Sequence, residues 1–118
     1  MVPARWIELR LSEAAGGATR FELEHIAHVN DHWAQFGPGA VGVGWDLALL
    51  GLTRHLVSGA AVDREAGLAF PATEEGRRFV EASSHGWCEA AIAAGADPAE
   101  ATAAAERTFA FFTGAGPG

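Results

Sequence analysis

Residues 35–52 read QFGPGAVGVGWDLALLGL, and Gly37-Pro38-Gly39-Ala40-Val41-Gly42 within them has the spacing G-x-G-x-x-G. A dinucleotide fingerprint needs a strand feeding directly into the glycines inside a parallel βαβ unit. Here the preceding alternating run ends near Val29, and Asn30 to Phe36 intervene. That run is one arm of a hairpin, so the βαβ context is missing. Pro38 removes an amide donor from the place where a phosphate would sit. Asp63 lies at a fingerprint's distance but beyond the end of the same helix, and no Gly-Lys-Ser/Thr follows for a P-loop. The stretch reads instead as a tight turn into a helix. From Ala40 onward, Val41, Trp45, Ala48, Leu49, Leu52 and Leu56 form one helical stripe, and Val43, Leu47, Leu50 and Val57 widen it. A helix apolar over most of its circumference is expected to be buried on more than one side. Gly42, Gly44 and Gly51 are expected to let it approach other backbone closely, and Ser58-Gly59 stops it near residue 58.

Upstream, residues 4–11 alternate, with Ile7, Leu9 and Leu11 on one face and Glu8 and Arg10 on the other. This is the period of a half-buried strand. Gly16-Gly17 marks a turn. Residues 20–29 alternate again, with Phe21, Leu23, His25, Ala27 and Val29 together. The two runs predict an antiparallel hairpin whose outer face pairs acids with arginines. Asn30 to Gly39 reads as a loop with turn chemistry.

Downstream, the pattern is helical. A short helix is predicted from Asp63 to Leu68. Thr73 caps a helix running to about Ala94, with Phe79, Val80, Trp87 and Ile92 as its apolar contacts. Asp97-Pro98-Ala99-Glu100 is a strong start signal, with Asp as cap, Pro at the first helical position and Glu at the third. That last helix is expected to turn Ala101, Ala105, Phe109 and Phe112 inward and to stop at Gly114. Residues 115–118 read as a flexible tail. The fold class is therefore α+β: a hairpin, a long buried helix, then two or three helices. Two strands alone make a marginal sheet with two open edges. A second copy, another chain or a missing N-terminal half is expected to complete it.

Composition narrows the function classes. Apolar residues make up 49% and charged residues 19%, which excludes a disordered chain. The net charge is −7, and all 8 basic residues are Arg. Without a basic cluster, nucleic acid and anionic membrane surfaces are excluded as partners. Cys88 is the single cysteine, so no disulfide forms within one chain, which fits a reducing cytoplasm. The N-terminus has no signal-peptide core, and the longest nearly apolar run, Ala40 to Leu52, is too short to span a bilayer. The expectation is a soluble, cytoplasmic protein.

Several residue groups are candidates for chemistry. His25, His28 and His32 resemble a metal set, but on a strand His25 and His28 point to opposite faces. A closed zinc site also needs four converging ligands, so no metal is expected. His25 alone shares the inward face with Phe21, Leu23 and Ala27, either as a satisfied core histidine or as a polar anchor in an apolar cavity. His85, Cys88 and Glu89 share one side of a helix. A Cys–His pair can be nucleophilic, but no oxyanion donor or third residue is identifiable. A packed thiol beside surface groups is the simpler reading. Trp33 and Phe36 either cover a cavity mouth or staple the loop to the core. Glu8, Glu22 and Glu24 form a solvated face.

The runs "WIELRL" and "TRFELEH", with Gly44-Trp45 opening the long helix, resemble the C-terminal part of the SRPBCC (START-like) superfamily, in its heat-shock ATPase activator-like branch, common in actinobacteria. The resemblance implies a helix-grip fold, a curved antiparallel sheet wrapped around a long helix. On it, residues 1–59 are the C-terminal half of such a domain, and residues 60–114 are a helical extension. The family's earlier strands have no counterpart before Trp6. The resemblance implies an apolar small-molecule ligand between sheet and helix, lined by Phe21, Leu23, His25, Ala27, Trp33, Phe36, Val43, Leu47 and Leu50. It transfers no catalytic residue and no cofactor. The alternatives are a polyketide cyclase or aromatase-like enzyme with His25 as acid–base group, and a protein-interaction module, chaperone-associated or a homo-oligomer completing its sheet.

Overall fold

The computed structural model describes residues 5–114; the first strand residue expected, Ala4, and the expected tail at 115–118 lie outside them. The chain divides into two compact units, Met1–Asn30 and Asp31–Gly118. The first holds an antiparallel pair, β1 (Arg5–Glu13) and β2 (Thr19–Ala27). The second holds α1 (Asp31–Phe36), α2 (Gly39–Ser58), α3 (Arg64–Ala69), α4 (Glu74–Ala93) and α5 (Pro98–Thr113). The α+β class and the hairpin-then-helices order are those read from the sequence.

In the hairpin unit the register runs from Arg5↔Ala27 to Glu13↔Thr19, placing Ile7 opposite His25, Leu9 opposite Leu23 and Leu11 opposite Phe21. Alternation puts these six on one face. Between the strands, Gly16 and Gly17 adopt φ of 71° and 79°, left-handed values that favour glycine. The other face carries the ion pairs. Arg10 reaches Glu8 at 2.9 Å and Glu22 at 3.4 Å, and Arg20 reaches Glu22 at 3.0 Å. The second strand ends at Ala27, two residues short of the expected Val29.

In the helical unit the start and stop chemistry is as the sequence reads. The carboxylate of Asp63 accepts from the amides of Glu65 and Ala66, Thr73 Oγ1 from Gly76, and Asp97 from Glu100. Gly59 and Gly114 close α2 and α5 in left-handed conformations. α4 packs on α5 and on α2. Their seam is made of small residues, since the buried positions are Gly76, Val80 and Ser84 on α4 and Ala101, Ala104, Thr108 and Thr113 on α5. The larger residues expected inward, Phe79, Trp87, Phe109 and Phe112, are half-buried at its margins, as is Ala105, and Ile92 is exposed.

Three expectations are corrected. First, the segment read as a loop contains α1. This helix is held from outside: Arg107 Nε donates to the Gln35 carbonyl at 2.6 Å, and Phe36 packs on Phe111 with ring centroids 5.5 Å apart. Second, α2 is not buried along its length. Gly39, Ala40, Gly42 and Val43 are buried, while Leu56 and Val57 are 72% and 84% exposed. The bonds from α4 to α2 reach it at Asp46, and Gly39 and Gly42 lie against Thr108 and Trp87. Third, Gly42 of α2 is tightly packed as expected, but the other close-packing glycine of that helix is Gly39, not Gly44 or Gly51. A Cβ on Gly39 would stand 2.9 Å from Thr108 Oγ1, and one on Gly42 would overlap the Trp87 indole. At Gly44 a Cβ meets nothing within 4 Å, and at Gly51 it meets Val62 at an ordinary 3.8 Å.

Candidate functional site

Two concave features lie in the helical unit. α1, the α1–α2 turn, α4 and α5 line a half-open pocket of about 170 Å³. Trp33 and Phe36 come from α1, Trp87 and Cys88 from α4, and Ala101, Ala104 and Ala105 from α5. The alanines are the reason for the space. Where two helices bring Ala to a seam that a neighbouring helix spans with aromatic rings, volume is left over.

Two anchors fix the aromatic walls. Trp87 Nε1 donates to Asp46 Oδ2 at 3.0 Å, and the Ser83 hydroxyl donates to the same oxygen at 2.6 Å. A carboxylate accepting two part-buried donors holds the α4 indole against Gly42 of α2. On the opposite wall, the C-terminal carbonyls of α1 accept from α5: that of Gln35 from Arg107, and that of Phe36 from Thr108 at a long 3.5 Å. These orphan groups of a helix end are otherwise left to water.

Ser84 also lines the pocket. It is 3% exposed, and among the described residues its Oγ has no hydrogen-bond partner. Buried hydroxyls are nearly always paired, and this one is sealed from solvent rather than presented to the pocket. Glu100 lines the pocket, and among the described residues no Arg or His does.

A second, larger cleft of about 290 Å³ lies between the distal half of α2 and the 60–70 segment, lined by Leu47, Leu50, Arg54, His55, Val62 and Phe70 among others. Its polar groups are engaged within the fold. His55 Nδ1 contacts the Ala60 carbonyl at 2.7 Å, Arg54 lies over the Phe70 ring at 4.9 Å, and Asp63 caps α3.

The residues picked from the sequence thus fall into separate places. Phe21, Leu23, His25 and Ala27 share one hairpin face, with His25 half-buried opposite Ile7. Trp33 and Phe36 line the first pocket, Leu47 and Leu50 the second cleft, and Val43 is fully buried core. Within the helical unit they do not converge on one cavity. His85 pairs with Glu89 at 2.9 Å on the exposed side of α4, while Cys88 faces the pocket. Among the described residues no group of three His, Cys, Asp or Glu is placed to hold a metal ion. Sequence reasoning missed Asp46, Ser83, Ser84 and the alanine wall. Asp46 did carry a signal: a lone carboxylate inside an apolar helix needs buried donors.

Compared with family models, curated proteins and solved structures, the chain matches none. No helix among the described residues is long and apolar enough to cross a membrane.

Proposed function

We propose that this chain is a binding module for a small, mainly apolar molecule, held in the helical unit between α1, α4 and α5. The observation that carries the reading is the pocket of about 170 Å³ with Trp33, Phe36 and Trp87 on its walls. Apolar lining with few, fixed polar groups is the usual make-up of small-molecule sites. The helix-grip, START-like reading belongs to the same proposal, supported by the order of hairpin and long helix; it keeps the ligand class expected from the sequence and moves the site. Thermal unfolding with a panel of small apolar compounds tests it. Binders raise the melting temperature of the native chain, and Ala91→Leu, which fills the pocket from α4, removes that response. A panel without any binder, or a response unchanged in Ala91→Leu, refutes the reading.

The hairpin favours a second reading, self-association through the sheet. Among the described residues its two strands pair with each other and with no further strand, leaving two edges, and Ile7, Leu9 and Leu11 on its apolar face are 48%, 58% and 69% exposed. The partner is a second copy of this chain. Sedimentation over a range of concentrations should give a dimer that Leu9→Glu dissociates; a monomer at all concentrations refutes it.

A further inference from the structure

We propose that the outer edge of β1 pairs antiparallel with β1 of a second copy, about a two-fold axis at Leu9, and so closes a dimer with one continuous sheet. The inference rests on the self-association reading above and names its edge and register. The phase of the ladder shows which groups that edge offers. The Ala14 amide donates to the Ala18 carbonyl at 2.9 Å, and these two residues continue the register that runs from Arg5↔Ala27 to Glu13↔Thr19. Bonded and non-bonded pairs alternate along an antiparallel ladder. The even-numbered residues of β1 therefore bond to β2, and the backbone groups of Ile7, Leu9 and Leu11 point away from it. Residues 6–13 are all exposed, and among the described residues no third strand covers that edge.

Charge selects the edge and the register. Two β1 strands that bond through these outward groups slip past each other in steps of two residues. Centred on Leu9, the pair overlaps along all 9 residues of β1. Ile7 then faces the partner's Leu11, and Glu8 faces the partner's Arg10. One step either way sets Glu8 against the partner's Glu8, or Arg10 against the partner's Arg10, and like charges directly opposite are destabilising. The pairing also relieves a conflict inside the hairpin, where Glu8 stands opposite Glu24: the partner's Arg10 comes to the other side of Glu8. The β2 edge lacks this match. In the register that overlaps β2 with a second β2 along its whole length, Glu22 faces the partner's Glu24, and a slip of one step sets Glu22 or Glu24 against its own copy. A two-fold contact on β1 is self-complementary and closes at two copies, leaving the glutamate-bearing β2 edges outermost, where charge discourages further addition.

The test uses the full chain, with sedimentation for affinity and hydrogen exchange for location. Glu8→Arg sets an arginine against the partner's Arg10 while facing Glu24 favourably within its own hairpin. It should leave the hairpin intact and weaken the dimer roughly tenfold, the effect of two symmetry-related charge pairs turned from attraction to repulsion. Arg10→Glu sets a glutamate against the partner's Glu8 and should weaken it similarly. An equimolar mixture of the two variants matches arginines on one chain to glutamates on the other and should recover the native affinity. In the native chain, raising the concentration should slow exchange of the Ile7, Leu9 and Leu11 amides and leave those of Phe21 and Leu23 unchanged. A dimer that Leu9→Glu dissociates but that neither charge variant weakens, a mixture no tighter than its components, or protection on β2 in place of β1 overturns the β1 register and leaves self-association standing. Assemblies that grow past two copies overturn it as well. A monomer at every concentration overturns both.

Discussion

Gly42 and Gly44 are two residues apart on one helix and have opposite roles. A Cβ at position 42 would overlap the Trp87 indole, and one at position 44 would meet nothing within 4 Å. The indole cannot simply swing away, because its N–H is held on Asp46. Gly42→Ala is therefore expected to cost about 1–3 kcal/mol, the usual range for overpacking. Gly44→Ala should instead gain about 0.5–1 kcal/mol, since glycine in a helix interior is entropically unfavourable relative to alanine. Urea denaturation of the two variants separates them, and a shift of the same sign in both contradicts the packing described. At this scale the sequence revealed that the glycines of Gly37-Pro38-Gly39-Ala40-Val41-Gly42 serve packing and turning. It did not reveal which glycine meets which residue. Trp87 lies far along the chain, and the periodicity of α2 leaves Gly42 and Gly44 equally free to face it.

Among the elements, those with local start and stop chemistry were legible and the one held from outside was not. Thr73, Asp97 and Gly114 act through hydrogen bonds a few residues away, so their helices could be bounded from the sequence. α1 spans only Asp31–Phe36. So short a helix is unstable on its own, and at its C-terminal end the Gln35 carbonyl accepts from Arg107 of α5. Nothing within Asn30 to Gly39 announces that support. The hairpin was legible because its two-residue period is local, and its ion pairs make a testable point. The bond from Arg20, and then that from Arg10, hold the Glu22 carboxyl below the ordinary carboxylate value. A folded value below the unfolded one means that this stabilisation is full above the unfolded value, near pH 4.3, and is lost as the pH falls through the lowered folded value. The groups are exposed, so the effect is small and screened by salt. A carbon-detected NMR titration of the Glu22 carboxyl should give a midpoint below that of a free glutamate. Arg20→Ala should raise the midpoint more than Arg10→Ala, in line with contacts of 3.0 Å and 3.4 Å. Equal midpoints in the native chain and both variants would rule the assignment out.

On the scale of the whole molecule, the two units differ in how they are held together. In the helical unit, Val43, Val80 and Thr108 are fully buried, on α2, α4 and α5 respectively. These three positions join the helices into one core, and side chains near them close long loops of sequence: Asp46 to Trp87, and Gln35 to Arg107. The hairpin unit has no buried residue among those described on β1 and β2. Its stability comes from one two-stranded ladder and from surface ion pairs, each of small net worth. Local opening free energy follows buried apolar contact. Native-state hydrogen exchange should therefore rank the amides. Those around Val80 and Ser84 on α4 and Ala104 and Thr108 on α5 should exchange slowest and approach the global unfolding limit. Those of β1 and β2 should exchange well before them, through openings that leave the helical unit closed. The distal half of α2, beyond Leu52, should fall between, since it is helical but exposed at Leu56 and Val57. If the hairpin dimerises as proposed, its ladder amides alone should slow as protein concentration rises, while α4 and α5 stay unchanged. Hairpin amides as protected as those of α4 at every concentration would show that the two units open together, and the separation of their stabilities would be wrong.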